Sequence, residues 1–265
     1  IITTDGEDYI STEFINDIIC TQEFDEEIAK NFVIYHADFS EKSYKKTAAP
    51  QDASDEELLK AELYSRSMQS AYQLATILNL EYTPALYIFT KDGYVVSEVS
   101  YEDEILDIES LKSLLELYTT KIQKFNGLVK ETTKGSKTDK VKAIHNLYTE
   151  TEPEYRPLLQ NLASTIPDLD PENKTGLANE YIFLSLEATA VSRFTEGDIA
   201  GAIQVYIDGA NNPYLTLEEK QNCYYTAAFL IAQSGSEDLG LIIDYLRLAV
   251  AIAPNSESVD DIKQV

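Results

Sequence analysis

The chain has 265 residues, enough for one large domain or two modest ones. Hydrophobic residues make up 44% of it, so it can bury a core, while 46 acidic against 21 basic residues leave a formal net charge of −25. That balance argues against nucleic-acid binding and against anionic membrane surfaces, since like charges repel, and no apolar run reaches the length of a membrane span. Cys20 and Cys223 form no C-x-x-C pair, disulfide framework or zinc-finger spacing, so cysteine usage does not fix the compartment.

Ile1–Thr4 reads as the tail of a strand, and the chain looks trimmed at this end. Residues 5–8 form a turn. Ser11 or Thr12 is expected to cap a helix through Phe14, Ile15, Ile18 and Ile19, and Thr21 to cap a second with an acidic first turn. Residues 31–39 read as a strand and 40–54 as a polar loop. Ser54 and Glu57 make a capping-box start for a helix from Glu56 to about Leu78, with a break expected near residues 65–70. Two apolar, β-branched or aromatic runs follow, residues 85–90 and 94–100. They flank Lys91-Asp92-Gly93, a strong hairpin signal because glycine readily supplies a positive φ.

After a link over residues 103–108, a helix begins at Ile108, carries Leu111, Leu114, Leu115 and Tyr118, and continues through 121–134 to Gly135. Residues 139–148 and 153–166 read as a helix pair, with Pro153 at a helix start. Pro167 to Pro171 reads as a loop between helical units.

The order helix, Thr83-Pro84, aliphatic strand, Lys-Asp-Gly turn, strand resembles the C-terminal half of a thioredoxin-like domain. Ile18-Ile19-Cys20-Thr21-Gln22-Glu23-Phe24 and Ala37-Asp38-Phe39 extend the resemblance to a divergent, mostly bacterial branch of that family, so that it covers roughly the first 120 residues. The resemblance implies a cis proline at Pro84 facing the redox motif. Yet Tyr9 sits near the family's tryptophan, and Ile10-Ser11-Thr12-Glu13 fills the C-x-x-C window. The thiols that the family's chemistry needs are missing.

Two later segments resemble tetratricopeptide repeats. In residues 186–213, Gly197-Asp198 sits in the inter-helix turn, with Ala202, Tyr206 and Gly209 following at the repeat's intervals. In residues 226–254, Ala249 and Pro254 are spaced as in the repeat. Arg193 replaces the usual aromatic and Glu237 the turn glycine, so the array is degenerate. Small residues stand where helices touch, and proline where the second helix must stop.

These readings predict an α/β thioredoxin-like domain over residues 1–120, then an all-α, tetratricopeptide-like domain over 121–265. Residues 5–13 with Thr83-Pro84 are expected to form a groove for an extended protein or peptide partner, lined by Tyr9, Ile10, Ser11, Thr12, Glu13, Thr83 and Pro84. The expected function is a redox-inactive, non-catalytic binding or scaffold protein with no cofactor and no metal. The resemblance implies a bacterial, exported protein, periplasmic or lipid-anchored, with a cytoplasmic placement as the alternative. The rival reading is a divergent thiol–disulfide oxidoreductase using Cys20 alone; Glu23, Asp25 and Glu26 nearby oppose negative charge on sulfur. Burial as a structural cysteine is the expectation for Cys20 and Cys223. His36 and His145 are expected to be structural. Asp168-x-Asp170-x-Glu172 begins like a calcium loop, but Pro171 and Asn173 break its pattern.

Overall fold

The computed structural model describes residues 1–5, 8–99, 105, 107–236 and 238–264. The turn residues Gly6 and Glu7, Ser100 at the expected end of the last strand, most of the 103–108 link and Glu237 lie outside the described residues. The protein is mostly helical with one small mixed sheet. It divides into two compact units, one of residues 1–130 with 149–158, the other of residues 131–148 with 159–265. Among the described residues, no helix is long and apolar enough to cross a membrane.

In the first unit, β1 (Ile2–Thr4), β2 (His36–Asp38), β3 (Ala85–Phe89) and β4 (Val95–Val99) form a sheet of order β2-β1-β3-β4. β1 runs parallel to β2 and antiparallel to β3, and β3 pairs antiparallel with β4. The hairpin turn is closed by Thr90 N–H to Tyr94 O at 2.8 Å, with Gly93 at φ 89°. Both hairpin strands are buried almost throughout, which accounts for the unbroken apolar run of β3, whereas β4 carries Ser97 and Glu98 among its valines. Of the expected 31–39 strand, residues 36–38 lie in register with β1, with Tyr35 O and Phe39 N–H bonding to Ile2 and Thr4 at its two ends, and a 3₁₀ turn takes Ala29–Asn31.

The first helix differs from expectation at its start. Asp8 is the N-cap, its Oδ1 accepting from Ser11 N–H at 2.7 Å, so the helix starts before Ser11 and Thr12 instead of after them. The helix α1 (Tyr9–Glu13) widens directly into a π-helical stretch, Phe14–Ile19. Then α2 (Gln22–Glu27) opens on Thr21 as expected. A short helix, α3 (Glu41–Lys45), occupies the expected polar loop because Ser40 caps it. The next, α4 (Asp55–Ile77), carries the Ser54–Glu57 capping box and is unbroken. Ser70 Oγ donates to Arg66 O at 3.0 Å, so that serine engages the helix's own backbone without interrupting it. A long helix, α5 (Ile108–Thr132), completes the unit, and the division expected near residue 120 falls inside it.

The second unit holds most of α6 (Lys137–Glu150), then α7 (Gln160–Ala163) and α8 (Ile166–Leu169), while the 3₁₀ stretch Pro153–Leu159 lies in the first unit as far as Leu158. The continuous helix expected over 153–166 is absent because Pro157 lacks the N–H a helix interior needs. Pro167 falls in the first turn of α8, where it is tolerated. Two helical hairpins follow: α9 (Ile182–Thr195) with α10 (Ile199–Ala210), and α11 (Leu217–Gln233) with α12 (Leu239–Ile252). The short α13 (Val259–Gln264) comes last. Gly197 and Gly235, at φ 86° and 77°, end the first helix of each hairpin. Asp198 and Asp238 cap the second helices. Ala190, Ala202, Tyr206, Cys223 and Ala227 form the buried centre of this array.

Candidate functional site

The residues expected from sequence to line a groove stand near Thr4. In the β1–β3 register Thr3 faces Ala85, so one further step sets Pro84 beside Thr4. The Thr83–Pro84 peptide is cis. Pro84 is buried and Thr83 half-buried. Thr4 is wholly buried, and the Asp8 cap of α1 comes four residues after it. On α1, Tyr9 and Ile10 are 73% and 52% exposed, Thr12 and Glu13 are exposed, and Ser11 points inward with no exposure at all. The Tyr9 phenol is held above its usual range by its hydrogen bond to Glu13 and that carboxylate's charge.

Two buried oxygens stand out here. Among the described residues, Asp8 Oδ2 and Ser11 Oγ have no hydrogen-bond partner, although Asp8 Oδ1 is engaged by the Ser11 amide. A buried polar atom left unpaired costs about 1–3 kcal/mol, so such atoms are rare away from sites of function. The carboxylate oxygen accepts; the hydroxyl can donate or accept. Together they suit a ligand bearing an N–H or O–H group. Sequence reading placed Asp8 in the turn of residues 5–8 and missed it as the cap, although an Asp ahead of the first helical residue is itself a cap signal.

Beside Thr4, on the opposite flank from Pro84, lies a polar chain. Thr4 Oγ1 is 2.8 Å from His36 Nε2, and Asp38 accepts from Ser40 N–H at 2.9 Å and Ser43 Oγ at 2.6 Å. Burial opposes ionisation of Asp38, but the hydrogen bonds from Ser43 and Ser40 hold its carboxyl below its usual range. Desolvation lowers the His36 value against the pull of Asp38. These groups fasten the ends of β1 and β2, which is the structural role expected of His36. His145 likewise meets Tyr181 OH at 2.9 Å.

The cysteines differ from each other. Cys223 is buried as expected, and burial, with Glu187 and Glu219 adding, pushes its thiol up to about 12. Cys20 is exposed, against expectation. It closes the π-helical stretch, its N–H bonded to Ile15 O at 2.8 Å, while Phe14, Ile18 and Phe24 take the core positions around it.

In the helical unit Gly209 is where two helices touch: a Cβ there would meet Leu186 Cδ1 at 1.9 Å and Cys223 Sγ at 3.3 Å. A polar cleft of about 850 Å³ opens between α11 and the segment leading into α13, lined by residues including Glu218, Asn222, Tyr225, Ser256 and Asp261. Its floor, Gln221, is committed to the fold through Ala249 O at 3.0 Å and Ala253 O at 3.2 Å. The carboxylate of Asp170 is occupied by Lys174 N–H at 2.8 Å and Thr175 N–H at 2.8 Å, which makes the calcium-like segment a closed loop. Among the described residues, no group of His, Cys, Asp and Glu is placed to hold a metal ion.

Residues 177–265 match a family described as "Uncharacterised protein C-terminal domain". An "Uncharacterized protein" of Treponema pallidum (strain Nichols) is 32% identical over 95 residues, which is 36% of this chain and 32% of that protein. The chain therefore spans about a third of that relative's length. No solved structure matches.

Proposed function

We propose that the protein is a non-catalytic binding or scaffold protein, built from a redox-inactive thioredoxin-like unit and degenerate tetratricopeptide-like hairpins. The observation that carries this reading is the pair of unpaired buried oxygens, Asp8 Oδ2 and Ser11 Oγ, beneath exposed Tyr9 and Ile10, at a helix start that offers no thiol. Pro84 beside Thr4, the cis Thr83–Pro84 peptide and the β3–β4 hairpin agree with the resemblance. An extended peptide beside Pro84 would bring apolar side chains to Tyr9 and Ile10, and its backbone N–H groups would reach Asp8 Oδ2 and Ser11 Oγ once the exposed Tyr9 and Ile10 side chains shift aside. The helical hairpins, with Gly209 and Ala249 at their closest approaches, would supply a second contact surface.

Selection from a phage-displayed peptide library tests this. Enriched peptides are expected to bind the wild type and to lose at least about tenfold in affinity with Ile10→Lys, the effect of losing one buried apolar contact and adding a charge. Failure to enrich any peptide sensitive to that change overturns the reading. Exposed Cys20 favours one rival, a lone-thiol oxidoreductase borrowing its second thiol from a partner. Insulin reduction by wild type and Cys20→Ser separates the two: no turnover is expected from either, and Cys20-dependent turnover would establish the rival.

A further inference from the structure

Residues 149–158 belong to the first unit, although the chain on both sides of them belongs to the second. Four contacts seat this segment. The Tyr155 ring is 3% exposed and meets Tyr87 of β3 edge-on at 6.3 Å. The Tyr155 hydroxyl donates to Glu98 Oε2 of β4 at 3.0 Å. Lys121 Nζ reaches Glu152 at 2.9 Å and also Ser97 Oγ at 3.2 Å. Lys124 pairs with Glu150 at 2.6 Å. The other oxygen of Glu98 is taken by Tyr82 OH at 2.5 Å, and Tyr82 directly precedes Thr83-Pro84. One carboxylate thus joins the segment to the proline wall of the groove.

We propose that residues 149–158 are a strap whose seating is transmitted through Glu98 to the Tyr82–Pro84 wall. With the strap seated, the Tyr82 and Tyr155 phenols share the Glu98 carboxylate. With the strap lifted, Glu98 is drawn toward Tyr82 or water, and the wall loses its fixed anchor. Burial first, and then Glu98, holds the Tyr155 phenol above its usual range, so it remains a donor at physiological pH. Both ends of the strap continue into the second unit, and a change in the Tyr82–Pro84 wall is a change in the groove. That consequence rests on the groove reading; the coupling does not. Coupling is reciprocal, so loosening the wall must also loosen the strap.

Hydrogen exchange on the full chain, read by mass spectrometry for Tyr155→Phe and Tyr82→Phe, tests the proposal. Each variant removes one hydroxyl and keeps its ring. Tyr155→Phe is expected to speed exchange about fivefold in 149–158 and also in 79–86, the effect of one hydrogen bond. Tyr82→Phe is expected to speed both segments as well, with α10–α12 unchanged in both variants. A strap that opens while 79–86 stays at the wild-type rate overturns the proposal, and so does a Tyr82→Phe effect confined to 79–86. Should either variant fold poorly, Glu98→Gln keeps the shape while weakening both phenol bonds, and the two segments must then accelerate together. No groove ligand enters this measurement, so its failure leaves peptide binding to the library selection, and an inert groove leaves the coupling intact.

Discussion

Ser11 and Glu187 show what single residues do for and against this fold. The Ser11 hydroxyl is buried and unpaired, so Ser11→Ala should raise stability by about 1 kcal/mol in urea unfolding, by removing an unmet polar group and improving helix propensity. The same change should weaken selected peptides. A destabilised Ser11→Ala protein would mean that the hydroxyl is bonded in the native state. Glu187 sits half-buried on α9, and desolvation raises its carboxyl value. A raised acid favours its protonated form in the fold, so its contribution is greatest at low pH and is lost as pH rises through the folded value. Thermal melts of Glu187→Gln against wild type should therefore diverge as pH rises above the usual glutamate range, the variant being the more stable. Coincident melts across pH would show that Glu187 is solvated.

The helices that sequence made legible are those whose ends carry their own chemistry. Ser54 with Glu57, and Thr21, each announce a start through a side-chain bond to the backbone, and each is seen. Gly209 was legible for a different reason, as a small residue at the repeat's interval. Gly209→Val should destabilise the helical unit by about 1–3 kcal/mol, since Leu186 and Cys223 leave no room. Unaltered denaturant midpoints would place slack at that crossing. What sequence could not supply was the outcome of local competitions. Serines over 65–70 looked like a breaker, yet Ser70 bonds back to Arg66 and the helix continues. Cys20 looked like core because free cysteine usually is. Its position as the closing residue of a π-helical stretch turned it outward, and a widened turn leaves no periodic trace in sequence.

At the scale of the whole chain, sequence reading foresaw a part mixing strands with helices, then helices alone, and that order of elements is observed. It could not foresee that residues 149–158 return to the sheet. Tyr155 and Glu98 are 57 positions apart, and a pair so distant leaves no spacing or propensity signal. Of the candidate site, the surface position of Tyr9 and Ile10 was legible, but the buried oxygens of Asp8 and Ser11 depend on where Asp8 caps, which only the backbone reveals. The interleaving has a practical bearing on anyone who cuts or grafts this gene. A cassette ending at Lys130 would carry Tyr87 and Glu98 away without the ring and hydroxyl that finish their surface, exposing an apolar patch to aggregation. The smallest portable piece with that surface complete runs through Leu158 and takes α6 with it.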